Sequence, residues 1–444
     1  MEGTEAEIVE ERLSGPELME SWAVLSDDEK VEGFRVLRRP EREDFFLELS
    51  SRDQATIVER LPPEQRRSWL RLLAPDDAAD VIQHVEPDER DGWLAQLDPV
   101  TRRDVSALLA YAEDDAGGLM SPRFARVRPD MSVDEAITYL RRQARQRVET
   151  IYYAYVLGSD QRLLGVVSFR DLFTARPEQR VEDVMIRDLV FARDTMDQEE
   201  MSRLFAQHDL IAIPVLDDDG RMKGLVTVDD IVDVVQEEAT EDIQRLGGSE
   251  ALDAPYLSVS IPQMIRKRGI WLAVLFMGEL LTATAMGHFE EDIERAVVLA
   301  LFVPLIISSG GNSGSQATTL VIRAMALGEV KLRDWWRVAR REVLSGLGLG
   351  AILGTLGVVR ILGWNAVSGV YGDHAVALAI TVGFTLLSVV LWGCIAGSML
   401  PCLLRRIGLD PASASAPFVA TLVDVSGLVI YFTVASLVLT GRML

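Results

Sequence analysis

Residues 417–432 read PFVATLVDVSGLVIYF. They lie inside an apolar segment running roughly from 412 to 439, and one acid, Asp424, stands in its middle. A charged side chain at bilayer depth costs at least ~2.5–3.5 kcal/mol on insertion scales, so it faces a partner or a water-filled path. Asp424 is then either hydrogen-bonded to a neighbouring helix or part of an ion site. The second reading is favoured, because acids inside spanning segments mark ion pathways. Flanking Ala420, Thr421, Ser426 and Gly427 are small or hydroxylic, which allows close helix approach and offers oxygens.

The rest of the chain divides by charge. Residues 1–250 hold 56 acids against 31 Lys/Arg, a net charge of −25, whereas residues 251–444 hold 12 against 14, a net of +2. The first part reads as soluble and acidic, the second as membrane-embedded. A surface this acidic disfavours nucleic acid and favours cations. Only Cys394 and Cys402 occur, both in an apolar segment, and the four His are scattered, so neither a disulfide framework nor a zinc site is expected. The start, MEGTEAEIVEERL, is acidic and lacks the apolar core of a signal peptide.

Five segments approach or exceed the ~20 residues a helix needs to cross a bilayer. They run roughly over 269–288, 296–323, 341–363, 375–404 and 412–440. Basic runs (Arg266, Lys267 and Arg268; Lys331, Arg333, Arg337 and Arg340; Arg405 and Arg406) alternate with loops that are not basic. That alternation predicts a cytoplasmic N-terminus and an outside C-terminus in the cell membrane. Gly350 and Gly354, at GxxxG spacing, read as a tight helix contact.

The second segment carries PLIISSGGNSGSQATTL from Pro304 to Leu320. Its proline and glycines predict irregular backbone, which survives at depth only where it is buried in protein or lines a cavity. Asn312, Ser313 and Gln316 are the candidate pore-lining residues, together with Glu279 in WLAVLFMGELLTA. Glu279 reads as a second cation site, a proton acceptor or a carboxylic acid kept neutral by burial.

Pro63, Pro75, Pro87 and Pro99 recur every twelve residues, each where a short helix would begin. Acids follow three of them (Glu64; Asp76 and Asp77; Asp88 and Glu89), complementing the helix dipole. Short helices at fixed period predict an all-α, superhelical domain. A second repeat follows. GVVSFRDL at 165–172 returns as GLVTVDDI at 224–231, 59 residues later, each after a β-rich run and a helix-like stretch. This pattern resembles a tandem pair of α/β CBS domains. Both copies keep the motif's hydroxyl and acid, Ser168 with Asp171 and Thr227 with Asp230. The resemblance implies adenine-nucleotide binding near those groups; the alternative is that Ser168 and Thr227 only cap helices.

Two motifs then decide the family resemblance, GGNSGSQATTLVIRA at 310–324 and PFVATLVDVSG at 417–427. With the repeats before them, the chain resembles the MgtE family of magnesium channels and transporters over nearly its whole length. The resemblance implies a helical N-domain (1–118), a CBS pair (119–243), a connecting helix (244–268) and a five-helix membrane domain (269–444). It implies a homodimer in the lipid bilayer with a pore on its two-fold axis, Mg2+ as cargo, Asp424 as the pore aspartate and Ala420 lending its carbonyl. It further implies regulatory metal sites at Glu199, Asp209, Asp230, Asp233, Glu238, Glu241 and Asp242, and at the D-x-x-x-D pair Asp76 and Asp80. Bound there, divalent ions would hold the pore shut. A proton- or sodium-coupled divalent-cation transporter is the rival, with Glu279 its best argument. A membrane enzyme is disfavoured, because no His–Ser–Asp, Cys–His or HExxH constellation occurs.

Overall fold

A computed structural model describes residues 14–145, 148, 150, 152–252, 254–295 and 297–439. The acidic start, Ile151 of the expected first β-rich run and the end of the expected last span at 440 lie outside them. The chain forms two compact units, Met1–Glu238 and Ala239–Leu444.

The first unit opens with nine short helices: α1 (Gly15–Ser21), α2 (Asp27–Val36), α3 (Arg39–Leu47), α4 (Ser51–Glu59), α5 (Pro63–Leu70), α6 (Pro75–Gln83), α7 (Arg90–Leu94), α8 (Pro99–Leu108) and α9 (Ala116–Leu119). Proline opens α5, α6 and α8 as the repeat predicts. Pro87 departs from it: a turn closed by the Glu89 N–H on the Glu86 carbonyl delays α7 to Arg90. An arginine three residues after a proline serves the same repeat. Arg66 donates to the Leu61 and Glu59 carbonyls, Arg90 to those of Val85 and Gln83, and Arg102 to those of Leu94, Ala95 and Leu97. Each satisfies carbonyls that the preceding helix end leaves without intrahelical partners. Phe34, Phe46, Ile57, Leu70, Ile82 and Val105 share one core with Met201, Ile213 and Val226 of the second CBS copy.

The duplication extends to backbone pairing. The first copy contains β1 (Arg126–Val127), α10 (Val133–Gln143), β2 (Tyr153–Leu157), β3 (Leu163–Ser168), α11 (Phe169–Thr174) and α12 (Val181–Val184). The second contains β4 (Ala192–Arg193), α13 (Gln198–His208), β5 (Ala212–Leu216), β6 (Met222–Thr227) and α14 (Val228–Leu246). In each, a parallel pair needs a helical crossover, supplied by α10 and α13, and an antiparallel hairpin completes three strands. Ala154 pairs with Val167 as Ile213 pairs with Val226, and both hairpins are irregular at the same step. Tyr155, Leu157, Leu216, Met222 and Leu225 form a core between the copies.

The expected connecting helix over 244–268 is corrected. α14 starts directly after β6 and ends at Leu246. Gly248 then adopts φ +74°, which glycine tolerates best, and the Gly247, Gly248 and Ser249 N–H groups close the helix end. Residues 261–268 instead open the next long helix, with proline in its first turn.

That helix, α15 (Ile261–His288), begins the long helices of the second unit. The short α16 (Glu290–Arg295) follows, then α17 (Val303–Ala326), α18 (Trp335–Ser368), α19 (Ala375–Arg406) and α20 (Ala416–Leu439). All but α16 belong to the five segments that, among the described residues, are long and apolar enough to cross a membrane. The irregular backbone expected at 304–320 is not found: α17 is a continuous α-helix. Pro304 lies in its first turn, where no intrahelical donor is lost. Its glycines serve packing instead. A methyl group on Gly310 would come 2.4 Å from Val389, and one on Gly393 of α19 would come 2.5 Å from the Gly310 carbonyl oxygen. The GxxxG expectation for α18 is met. Methyl groups on Gly350 and Gly354 would lie 2.9 Å from the Leu387 backbone and 2.8 Å from the Gly383 carbonyl.

The tightest of these contacts is Gly397, where an added methyl would stand 2.2 Å from the Gly314 carbonyl oxygen. Overpacking costs about 1–3 kcal/mol or more. Gly397→Ala is therefore expected to lower the melting temperature of the purified protein by roughly 5 °C. Gly348→Ala, with open space around it, should leave melting unchanged or raise it slightly.

Candidate ion path and acidic cluster

In the second unit Asp424 sits where three helices meet. Half-buried on α20, it faces Gly311 of α17: a methyl group there would lie 3.5 Å from Asp424 Oδ1 and 3.4 Å from the Ala420 Cβ. Glu279 of α15, an exposed residue of that helix, stands near enough to Asp424 for its charge to act on the Asp424 carboxyl. Gly278 permits this approach, since a methyl group there would come 2.6 Å from the Thr421 methyl. One turn along α15, the Thr282 hydroxyl is buried without a hydrogen-bond partner. Nothing in the linear sequence pairs residue 279 with 424; only the packing of α15 on α20 does.

The polar run of α17 divides between two faces. Asn312 and Gln316, one turn apart, are exposed. Ser313 is buried and donates to the Gly310 carbonyl (2.9 Å) and the Val390 carbonyl (3.4 Å). This corrects its assignment as pore-lining: its hydroxyl joins α17 to α19. Thr318 does the same toward Gly314 and Gly397 (2.9 and 2.7 Å). Ser315 donates to the Ala416 carbonyl at 3.0 Å, and Ser426 receives Trp392 Nε1 at 2.7 Å.

The first unit gathers acids around Asp80. Burial, followed by the charges of Asp77, Glu113, Asp230 and Glu237, pushes the Asp80 carboxyl up to about 8. Asp230 is pushed up to about 6, chiefly by burial; hydrogen bonds from Thr227 oppose the rise, and Asp229 and Asp77 add to it. Desolvation also raises Asp77, Glu113 and Glu237. Asp76 separates from Asp80: it is buried and receives the Ser121 hydroxyl at 3.4 Å. Asp233 lies beside Glu237. Sequence reading missed Asp77, Glu113 and Glu237. Asp77 and Glu237 were findable by helical spacing, at i−3 from Asp80 and i+7 from Asp230; Glu113 was not, because the fold alone brings it there.

The remaining candidates have local partners. Glu199 pairs with Arg203 at 2.9 Å, and Glu238 receives Gln198 Nε2 at 2.6 Å. Asp209 ends α13 in the left-handed conformation, φ 50°. In the second unit Arg245 bridges Glu241 of its own helix and Asp410, ahead of α20, and Asp242 lies half-buried on the same helix. Ser168 donates to Asp171 at 2.6 Å and Thr227 to Asp230 at 2.7 Å. Both hydroxyls are thus engaged at helix starts, the first in a complete capping box. Among the described residues no three His, Cys, Asp or Glu converge closely enough to hold a metal ion.

A pH dependence follows. Asp80 and Asp230 bind their protons more tightly folded than unfolded, where the ordinary value is 3.8. Without divalent ions, stability is therefore highest near and below that value and falls as pH rises through about 6 and then about 8. Thermal unfolding in chelator is expected at a lower temperature at about pH 8.5 than at about pH 6. Asp80→Asn should remove most of the difference.

Comparison with known proteins places these features. Residues 303–434 match the MgtE family, described as divalent cation transporters. Residues 15–114 match the MgtE intracellular N domain, and 116–178 and 181–237 match CBS domains. The magnesium transporter MgtE of Thermus thermophilus is 44% identical over 76% of this chain and 73% of its own length. That of Enterococcus faecalis is 32% identical over 75% and 71%. The chain belongs to the MgtE family of divalent cation transporters. As a member of that family it is a multi-pass membrane transporter and not an enzyme. An inosine-5'-monophosphate dehydrogenase of Nitrosopumilus maritimus matches 26% of the chain at 28% identity, and such dehydrogenases share the CBS domains alone. Among solved structures, the cytosolic domain of the Mg2+ channel MgtE in complex with ATP is 40% identical, covering 50% of this chain and 91% of that one, with a TM-score of 0.46.

Proposed function

We propose that this chain is a homodimeric Mg2+ channel for uptake, with its N-terminus cytoplasmic, its C-terminus outside, and its conductance shut by cytosolic Mg2+. The observation that carries the pore assignment is Asp424 on α20, opposite Gly311 and beside Ala420. Mg2+ gives up water reluctantly and binds through one or two carboxylates plus retained waters. One Asp424 per chain across a two-fold axis supplies such a pair, loose enough for release. Asn312 and Gln316, exposed on α17, would line the same path.

The regulatory part rests on the acids around Asp80. Carboxylates in partial desolvation repel unless protons or cations lie among them. A divalent ion that draws Asp80, Asp230, Asp233 and their neighbours together selects the compact state, which is here the closed one. Glu199, Asp209, Glu238, Glu241 and Asp242 would serve further sites of this kind, completed by rearrangement or by the second chain. An adenine nucleotide at the CBS pair would have to compete with Asp171 and Asp230 for the Ser168 and Thr227 hydroxyls. Titration calorimetry with ATP tests it.

The deciding experiment is ion flux into proteoliposomes with Mg2+ varied on the cytosolic side. Flux that needs no proton or sodium gradient and falls as cytosolic Mg2+ rises supports the proposal. A second reading, coupled divalent-cation transport, draws on Glu279 beside Asp424. Flux that stops when both gradients are collapsed would favour it.

A further inference from the structure

α15 is a 28-residue helix whose side chains are mostly exposed, and whose packing against other long helices is carried by α20. Its acid is placed where that packing occurs. Gly278 admits Thr421, the next residue, Glu279, meets Asp424, and Thr282 brings a buried hydroxyl with no partner one turn away. An acid is costly in a spanning helix unless a partner or a polar path receives it. Another acid is an unusual partner, because two carboxylates side by side favour a shared cation or proton over the empty anionic pair. The Thr282 hydroxyl is a further neutral oxygen, buried without a hydrogen-bond partner on the helix that carries Glu279.

Resting on the reading of Asp424 as the ion site, we propose that Glu279 is a specificity-determining residue of that site. It supplies a second carboxyl per chain, from a different helix, and thereby sets the affinity for divalent ions. With α17 contributing no acid, the acids of α15 and α20 carry the charge of the site. A hard divalent cation gains more from the added carboxylate than a monovalent one, since its interaction with each negative group is doubled.

A structural latch between α15 and α20 would also explain Glu279 beside Asp424, and the substitutions are chosen to separate the two roles. Glu279→Gln keeps the size and hydrogen-bonding capacity and removes the charge; Glu279→Asp keeps the charge. Mg2+ flux into proteoliposomes is measured against external Mg2+ for both variants, for wild type and for Asp424→Ala. Glu279→Gln is expected to raise the half-saturating Mg2+ concentration about ten-fold, more than it lowers maximal flux, with Glu279→Asp closer to wild type. Wild-type half-saturation in Glu279→Gln, with Asp424→Ala inactive, would leave Glu279 a latch and overturn this inference alone. Wild-type flux in Asp424→Ala would overturn the pore reading and this inference with it. Should Glu279→Gln fail to yield a monodisperse protein, Glu279→Ala carries the test. It also removes the carboxylate, so an unchanged half-saturation there overturns the proposal as well.

Discussion

Asp424→Ala is expected to abolish divalent flux while the protein remains folded. α20 contains no other acid, so no side chain of that helix replaces the carboxylate opposite Gly311. Folding should survive because the carboxyl is only half-buried and α20 is held elsewhere by Val419, Val423, Leu428, Tyr431 and Phe432. Asp424→Asn keeps an oxygen that can accept from a hydrated ion but loses the charge, so flux should fall strongly without vanishing. Divalent uptake into proteoliposomes, beside size-exclusion profiles of the same preparations, checks both. Wild-type uptake by the alanine variant would remove Asp424 from the path.

Under the proposed closure by cytosolic Mg2+, Asp80→Asn combined with Asp230→Asn is expected to move inhibition to Mg2+ concentrations at least about ten-fold higher. Two effects oppose each other. Loss of ligands weakens the closed state, whereas loss of repulsion favours it without any ion. Two unit charges ~4 Å apart interact by about 4 kcal/mol at an effective dielectric of 20, less where water and salt reach them. Ligand loss should win, because an ion bridges groups whereas neutral side chains merely stop repelling. Open probability in patches against cytosolic Mg2+ measures the balance. A curve moved to lower Mg2+ would make repulsion the larger effect, and an unmoved one would take these residues out of the sensor.

What the sequence disclosed depended on whether a feature is local. The twelve-residue proline rhythm, the 59-residue duplication and the five apolar segments each lie in one dimension, and the structure contains all three with small shifts. Ser313 was misread because composition reports polarity and not direction: its hydroxyl turns to an α19 carbonyl while Asn312 beside it stays exposed. The broken second span was misread because glycine weakens an isolated helix, yet here its missing side chains are what let α17 and α19 touch. Glu279 beside Asp424, and Glu113 beside Asp80, are separated by 145 and 33 positions and follow from packing alone.

The glycine contacts of α17, α18 and α19 also bear on stiffness. Where a carbonyl oxygen rests against a glycine Cα, the two helices have almost no slack along their axes. A slide of one residue, ~1.5 Å, would drive a branched side chain such as Val389 further into the space that the glycines leave free. The three helices therefore resist shear and respond to force as one rod-like block. Compliance is left to α15, which among the described residues packs against the other long helices chiefly through α20. A spring constant measured by pulling on this domain should thus be soft for α15 and steep for the other three.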